Sequence, residues 1–259
     1  MALTTINGID IDYADVGEGE GDVVVMLHGL GSTKKDWELQ IPVLSQKFRV
    51  IAPDFRAHGN SEKVPKEQGV EIMTDDVFQL LNSLNIQKAS FVGFSMGGAV
   101  CFDMAYSHPE MVHKLVIVNS GPDFNNAKES GVDILAERTK IIKEQGFNSL
   151  AETISKGMFP DKNQEKWRQE FQQRIVDNDE DAYLYTFGSL MKWGLDDKIG
   201  EIKQQTLVIA SDMDYTPVEY KKSYVDKMQN AQLVVIENSR HGIVLDQAEK
   251  LNEELLKFL

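Results

Sequence analysis

The chain has 259 residues, of which 42% are hydrophobic and 26% charged, proportions of a soluble globular protein able to bury one sizeable core and to carry an inserted subdomain. Its formal net charge of −14 argues against nucleic acid or an anionic membrane as a partner and suits a neutral substrate better than a polyanion. The single cysteine, Cys101, permits no internal disulfide. Neither a leader pattern in Met1-Ala2-Leu3-Thr4-Thr5 nor a membrane-length apolar run is present, so a cytoplasmic protein is expected.

The opening, Leu3 to Ile6, Asn7-Gly8 and Ile9 to Tyr13, reads as a hairpin closed by a tight Asn-Gly turn. Short runs rich in Val, Ile and Phe follow near 23–28, 48–53, 89–94, 114–118, 206–210 and 232–236, and such continuous apolar runs suit strands covered on both faces. Helical stretches fall between them, for example Ile72 to Leu84 and Met96 to Ser107. The alternation predicts an α/β fold with a mostly parallel sheet, its N-terminal hairpin forming an antiparallel edge. From 123 to 200 no strand is evident. Helices are expected at Val132 to Gln145, Ser149 to Gly157, Gln164 to Val176 and Asp181 to Lys192, with Gly146 as a stop and Asp161 with Gln164 as a cap. The expected organisation is a core of 1–122 and 201–259 with a helical insert of 123–200. A last amphipathic helix is expected from Asp246 to Phe258.

Gly93-Phe94-Ser95-Met96-Gly97 lies between an apolar strand and a helix. Glycines two positions either side of Ser95 match the G-x-S-x-G nucleophile elbow, a strained turn that exposes the serine hydroxyl. A Cβ at either glycine would collide with the neighbouring strand or helix. The following helix directs its N-terminal N–H groups toward the reacting centre.

A hydrolytic serine needs a base, and the base needs an orienting carboxylate. Of the five histidines, His108 and His113 are placed as capping or surface residues, and His28 and His58 precede the serine. His241 follows the last strand and a short polar turn, where a base can hang toward the elbow. The carboxylate is sought after the preceding strand, in Ser211-Asp212-Met213-Asp214-Tyr215-Thr216-Pro217. Either aspartate could serve; Asp214, further beyond the strand end, is favoured, and Asp123 is a weaker rival. His28-Gly29-Leu30-Gly31-Ser32 follows the strand of 23–28 and can aim backbone N–H groups at an oxyanion. The candidate pair is the N–H of Leu30 and that of Met96. Cys101 is expected to be core packing. No cysteine cluster or close histidine pair suggests a metal, and no cofactor is expected.

Leu27 to Gly31, Pro53-Asp54-Phe55-Arg56-Ala57-His58-Gly59-Asn60-Ser61, Gly93 to Gly98, the Asp214 loop and His241-Gly242 together resemble the α/β-hydrolase superfamily, in the family's order and across nearly the whole chain. The resemblance implies Ser95 as nucleophile, Asp214 as acid and His241 as base. It also implies that the insert is a cap over the site, with Phe147, Met158, Phe159, Tyr183, Tyr185, Phe187, Met191 and Trp193 available for the wall of a substrate pocket. Ala57 stands where a glycine is usual, Ser211 where the acid loop often has one, and Gln205 where a proline commonly precedes the strand.

The leading expectation is hydrolysis of a small carboxylic ester or related acyl compound. Enol-lactone hydrolysis and carbon–carbon bond hydrolysis use the same triad. Such substrates carry carboxylates, so a cap arginine such as Arg138, Arg168 or Arg174 would have to face the pocket. A ligand-binding receptor on a hydrolase fold is the rival of another class. A serine in place of an aspartate disfavours dehalogenase and epoxide hydrolase chemistry. The oligomeric state is left open.

Overall fold

A computed structural model describes residues 2–17, 22–64, 66, 68–125 and 133–259. Strands β1 (Ala2–Ile6) and β2 (Ile9–Val16) form the expected hairpin, and both turn residues adopt positive φ, Asn7 at 52° and Gly8 at 80°. That twist matches the right-handed twist of the strands it joins. The remaining strands are β3 (Val23–Leu27), β4 (Arg49–Pro53), β5 (Ala89–Phe94), β6 (Val112–Val118), β7 (Gln205–Ser211) and β8 (Ala231–Ile236). They form one eight-stranded sheet in the order β1-β2-β4-β3-β5-β6-β7-β8. β1 with β2 and β2 with β4 are antiparallel, and every other pairing is parallel. The α/β reading of the sequence is thereby realised.

Helices α1 (Ile41–Leu44), α2 (Val70–Ser83) and α3 (Met96–Ser107) lie between the first six strands. Buried side chains form two layers, one on each face of the sheet, which is why the central strands read as unbroken apolar runs. Helix α3 is buried continuously from Met96 to Ala105, with Cys101 inside the core as expected. The edge strand β8 departs from the two-sided burial read from its sequence: Val235 is exposed and Leu233 and Val234 are half-buried.

Between β6 and β7 lie α4 (Ile134–Gln145), α5 (Phe147–Met158), α6 (Glu165–Val176) and α7 (Glu180–Leu190), and no strand is present there among the described residues. The expected start of the first at Val132 lies outside the described residues. Gly146 ends α4 with φ at 88°, a conformation that suits glycine. Asp161 and Gln164 close a capping box on the short 3-10 turn that leads into α6. Helix α8 (Val218–Val225) follows β7, the short α9 (Ile243–Asp246) follows β8, and the expected terminal helix is α10 (Ala248–Phe258). Among the described residues no helix is long and apolar enough to cross a membrane.

The sheet order reverses beside β3, whose neighbours are β4 on one side and β5 on the other. Loops leaving the strand ends at such a switch point diverge and open a crevice. Leu27 pairs with Gly93, so the loop after β3 and the turn after β5 emerge side by side.

Candidate active site

Ser95 occupies the turn between β5 and α3 with φ at 52° and ψ at −117°. This is a strained conformation for a residue with a side chain, tolerated where packing on both sides enforces it. The packing is visible at the flanking glycines. A Cβ on Gly93 would lie 2.3 Å from the Gly97 carbonyl oxygen, and one on Gly97 would lie 2.1 Å from that of Leu27. Neither position admits a side chain, as the motif requires.

His241 hangs from the loop after β8, with Nε2 3.0 Å from Ser95 Oγ and Nδ1 2.6 Å from Asp214 Oδ1. An ionised carboxylate only accepts, so Nδ1 carries the proton and donates to Asp214, leaving the Nε2 lone pair to accept from the serine hydroxyl. The two candidate aspartates have different partners. Asp214 contacts His241, whereas Asp212 accepts from the Ser239 N–H at 3.1 Å and shapes the turn before the histidine. Asp123 lies on the wall of the same crevice, where its carboxylate accepts from the Asn125 N–H at 2.7 Å.

The other oxygen of Asp214 meets the Lys221 ammonium, on α8, whose side chain is fully buried. Lys221 also donates to the Thr216 carbonyl and hydroxyl, each at 2.6 Å. Burial opposes ionisation of Asp214, but the attraction of His241 and Lys221 outweighs it and holds the carboxyl well below the usual carboxylate range. Burial likewise pulls the Lys221 ammonium below the usual lysine range, against the pull of Asp214.

The motifs do not reveal how the two loops are held. Asn119, in left-handed conformation just after β6, donates through Nδ2 to Ser211 Oγ at 2.8 Å and to the His241 carbonyl at 3.0 Å. Its Oδ1 accepts from the Ser211 N–H at 2.8 Å. This side chain ties the acid loop to the histidine loop, and Ser211 supplies a hydroxyl that the glycine common there would lack. Tyr215, the neighbour of Asp214, stacks on the imidazole with ring centres 4.4 Å apart. A buried asparagine after a strand and a tyrosine after an aspartate were the available signals, too generic to single out.

The loop after β3 lies against the elbow: a Cβ on Gly29 would sit 3.5 Å from Ser95 Cβ. Among the described residues the N–H groups of Leu30 and Met96 make no backbone hydrogen bond outside regular elements. Leu30 faces the crevice beside Ser95, whereas the Met96 side chain is buried. Asp36 braces this loop from below. Its carboxylate accepts from the Ser32 hydroxyl, from the Gly29 N–H at 3.1 Å, and from Arg174 of α6 at 3.2 Å. Asn178 adds a bond to the Gly31 carbonyl at 2.9 Å. The helical insert is therefore fastened to the loop that adjoins the serine.

A cavity of about 570 Å³ opens over Ser95 and His241 between the sheet and the insert. Of the apolar residues expected to wall it, Met158, Tyr183, Phe187 and Met191 do so. The others are placed elsewhere: Phe159 packs on Trp167 and Phe171, Trp193 on Phe124, and Phe147 on the ring of Tyr183, while Tyr185 is exposed. Arg138 alone of the three candidate arginines borders the cavity. Arg174 is committed to Asp36, and Arg168 to Glu165 and the Phe159 carbonyl. Among the described residues no group of three or more His, Cys, Asp or Glu is arranged to hold a metal.

Residues 22–248 match the model of the alpha/beta hydrolase fold family. The chain belongs to this family. Among curated relatives, "Putative carbamate hydrolase RutD" of Agrobacterium fabrum is 25% identical over 254 residues, covering 93% of this chain and 94% of the relative. A bromoperoxidase from Bacillus anthracis superimposes with a TM-score of 0.89 at 27% identity, covering 99% of this chain and 98% of that one. An esterase from Exiguobacterium antarcticum gives 0.89 at 25%, with the same coverage.

Proposed function

We propose that this α/β hydrolase is a serine hydrolase that cleaves a small carboxylic ester or related acyl compound through an acyl-enzyme on Ser95. The observation that carries the reading is the continuous hydrogen-bond chain from Ser95 Oγ through His241 to Asp214, at the floor of a largely apolar cavity. His241 takes the hydroxyl proton as Ser95 attacks the carbonyl carbon and hands it to the departing alcohol. Water activated by His241 then releases the acid. Asp214 keeps the imidazole in the productive tautomer and stabilises its charged form. The N–H groups of Leu30 and Met96 receive the oxyanion. The insert of residues 123–200 serves as a cap on the core of 1–122 and 201–259, shaping the acyl pocket. The names carried by relatives, a carbamate hydrolase and an esterase, describe acyl-transfer chemistry of this kind.

Release of p-nitrophenol from acetate, butyrate and octanoate esters by wild type and Ser95→Ala tests the proposal. Turnover that disappears with the substitution, together with an acyl adduct on Ser95 by mass spectrometry, is the expected result. Turnover that survives it would overturn the nucleophile assignment. Tight ligand binding without turnover would transfer the reading to a receptor.

A further inference from the structure

Arg138 is unusual in its surroundings. It lies in the middle of α4, where Glu137 and Lys140 point to solvent, yet it is half-buried and borders the cavity that contains Ser95 and His241. Its guanidinium lies 3.9 Å over the ring of Phe187, and Nη1 donates to the Tyr183 hydroxyl at 2.7 Å. Among the described residues no carboxylate lies within 4.0 Å of it, although 41 Asp and Glu residues are distributed over the chain. A guanidinium carries five donors in a rigid fork, and among the described residues the Tyr183 hydroxyl is the acceptor this fork meets. Partial desolvation without a counter-charge is unfavourable, so an anion reaching this guanidinium would be favoured there.

The partner residue suits the same ligand. Tyr183 is buried, and burial raises its phenol above the usual tyrosine range, so the hydroxyl keeps its proton. That oxygen accepts from Arg138 and retains a hydrogen to donate. The carboxylates on the cavity wall are engaged: Asp214 with His241 and Lys221, and Asp123 with the Asn125 N–H. The neighbouring lining is apolar, including Ile134, Ile154, Phe171 and Leu190, which strengthens an ion pair formed there.

We infer that Arg138 and Tyr183 form a carboxylate-binding subsite, and that the natural acyl substrate carries a carboxylate remote from its scissile bond. The inference rests on the serine hydrolase reading above and narrows its substrate class to an anionic ester or lactone. The net charge of −14 favoured a neutral substrate; the guanidinium of Arg138 on the cavity wall favours an anionic group at that one place.

The test compares hydrolysis of ethyl butyrate, of monoethyl glutarate (carboxylate on the acyl part) and of carboxymethyl butyrate (carboxylate on the leaving part). Wild type, Arg138→Met and Arg138→Lys are assayed, and glutarate binding to Ser95→Ala protein is measured by calorimetry. One of the anionic esters is expected to exceed ethyl butyrate in kcat/KM by about 10- to 100-fold, the worth of a charge-assisted hydrogen-bond pair. Which ester gains tells on which side of the scissile bond the subsite lies. In Arg138→Met the ratio falls to about one, and glutarate binding to the Ser95→Ala background is lost when that change is added. Arg138→Lys keeps the charge and the stem but loses the fork. It retains a reduced preference and serves if the methionine variant does not fold. A preference unchanged in either variant, or absent from wild type, overturns the subsite. Glutarate binding that depends on Arg138, without turnover of any ester, would instead sink the serine hydrolase reading and leave the subsite standing.

Discussion

Lys221 sits on the oxygen of Asp214 that His241 does not use, so one buried carboxylate is shared between a lysine ammonium and the imidazole. Ammonium and imidazolium compete for the same negative charge. Removing the ammonium lets Asp214 favour the protonated imidazole more strongly. In Lys221→Met the acid limb of the kcat/KM profile for an ester is therefore expected to move to higher pH, and an unmoved limb would remove Lys221 from the catalytic electrostatics. Breaking the buried pair should also cost about 3 kcal/mol or more of stability, read from denaturant unfolding.

Arg174 and Asp36 join the insert to the loop beside the serine. Arg174→Met leaves Asp36 buried with its other donors, Ser32 and Gly29, but no counter-charge. A loss of about 3 kcal/mol is expected, together with a fall in kcat as the loop loosens around the oxyanion position. Limited proteolysis of α4–α7 alongside kinetics checks both. A kcat equal to wild type in a destabilised variant would show that the clamp holds the insert alone.

Gly97→Ala tests the elbow directly. Its Cβ would meet the Leu27 carbonyl oxygen at 2.1 Å, a backbone atom of a central strand. The variant is expected to lose more than about 3 kcal/mol, a size reserved for overpacking at a site that cannot give way. Guanidinium unfolding of the purified variant gives the number, and a loss under about 1 kcal/mol would mean that the turn relaxes.

Acid should destabilise the fold through two buried histidines below the loop after β3. His28 Nε2 accepts from the Phe55 N–H at 3.0 Å while Nδ1 meets the Gly29 carbonyl at 2.8 Å, an arrangement only the neutral ring can make. Burial lowers its pKa well below the usual histidine range, with His58 nearby adding to the effect. Burial also pushes His58 down from 6.5 to about 4. Between those values the unfolded chain binds more protons than the folded one, so stability falls as pH drops. The contribution of His58 is fully present above about pH 6.5 and lost by about pH 4. The interval corresponds to roughly 3 kcal/mol. Melting temperatures from pH 7 to 4 should fall, and less steeply in His58→Gln.

Local patterns foretold much of this molecule. Unbroken apolar runs marked central strands because both sheet faces are covered. Asn7-Gly8 marked a turn that needs positive φ at two successive residues, and the spacing about Ser95 marked a turn where a Cβ has no room. Each depends on residues close together in the chain. Ala57, where a glycine is usual, does adopt φ of 60°, so the family's preference was legible even through the exception.

What escaped the sequence depends on partners far apart in the chain. Asn119 reaches Ser211 across 92 residues, and Arg174 reaches Asp36 across 138. Among eight apolar residues that looked alike in the insert, only four border the cavity, because helix rotation and docking depth decide which face points inward. The same docking turned Arg138 to the cavity and Arg174 to the core. Residue order by itself determined the strands and the tight turn at Ser95, since backbone sterics and burial period act over a few residues. Only the tertiary structure decided which aspartate meets His241, which charges compensate one another, and which of the insert's three candidate arginines borders the cavity that holds Ser95, because Coulomb and hydrogen-bond partners are set by distances in space.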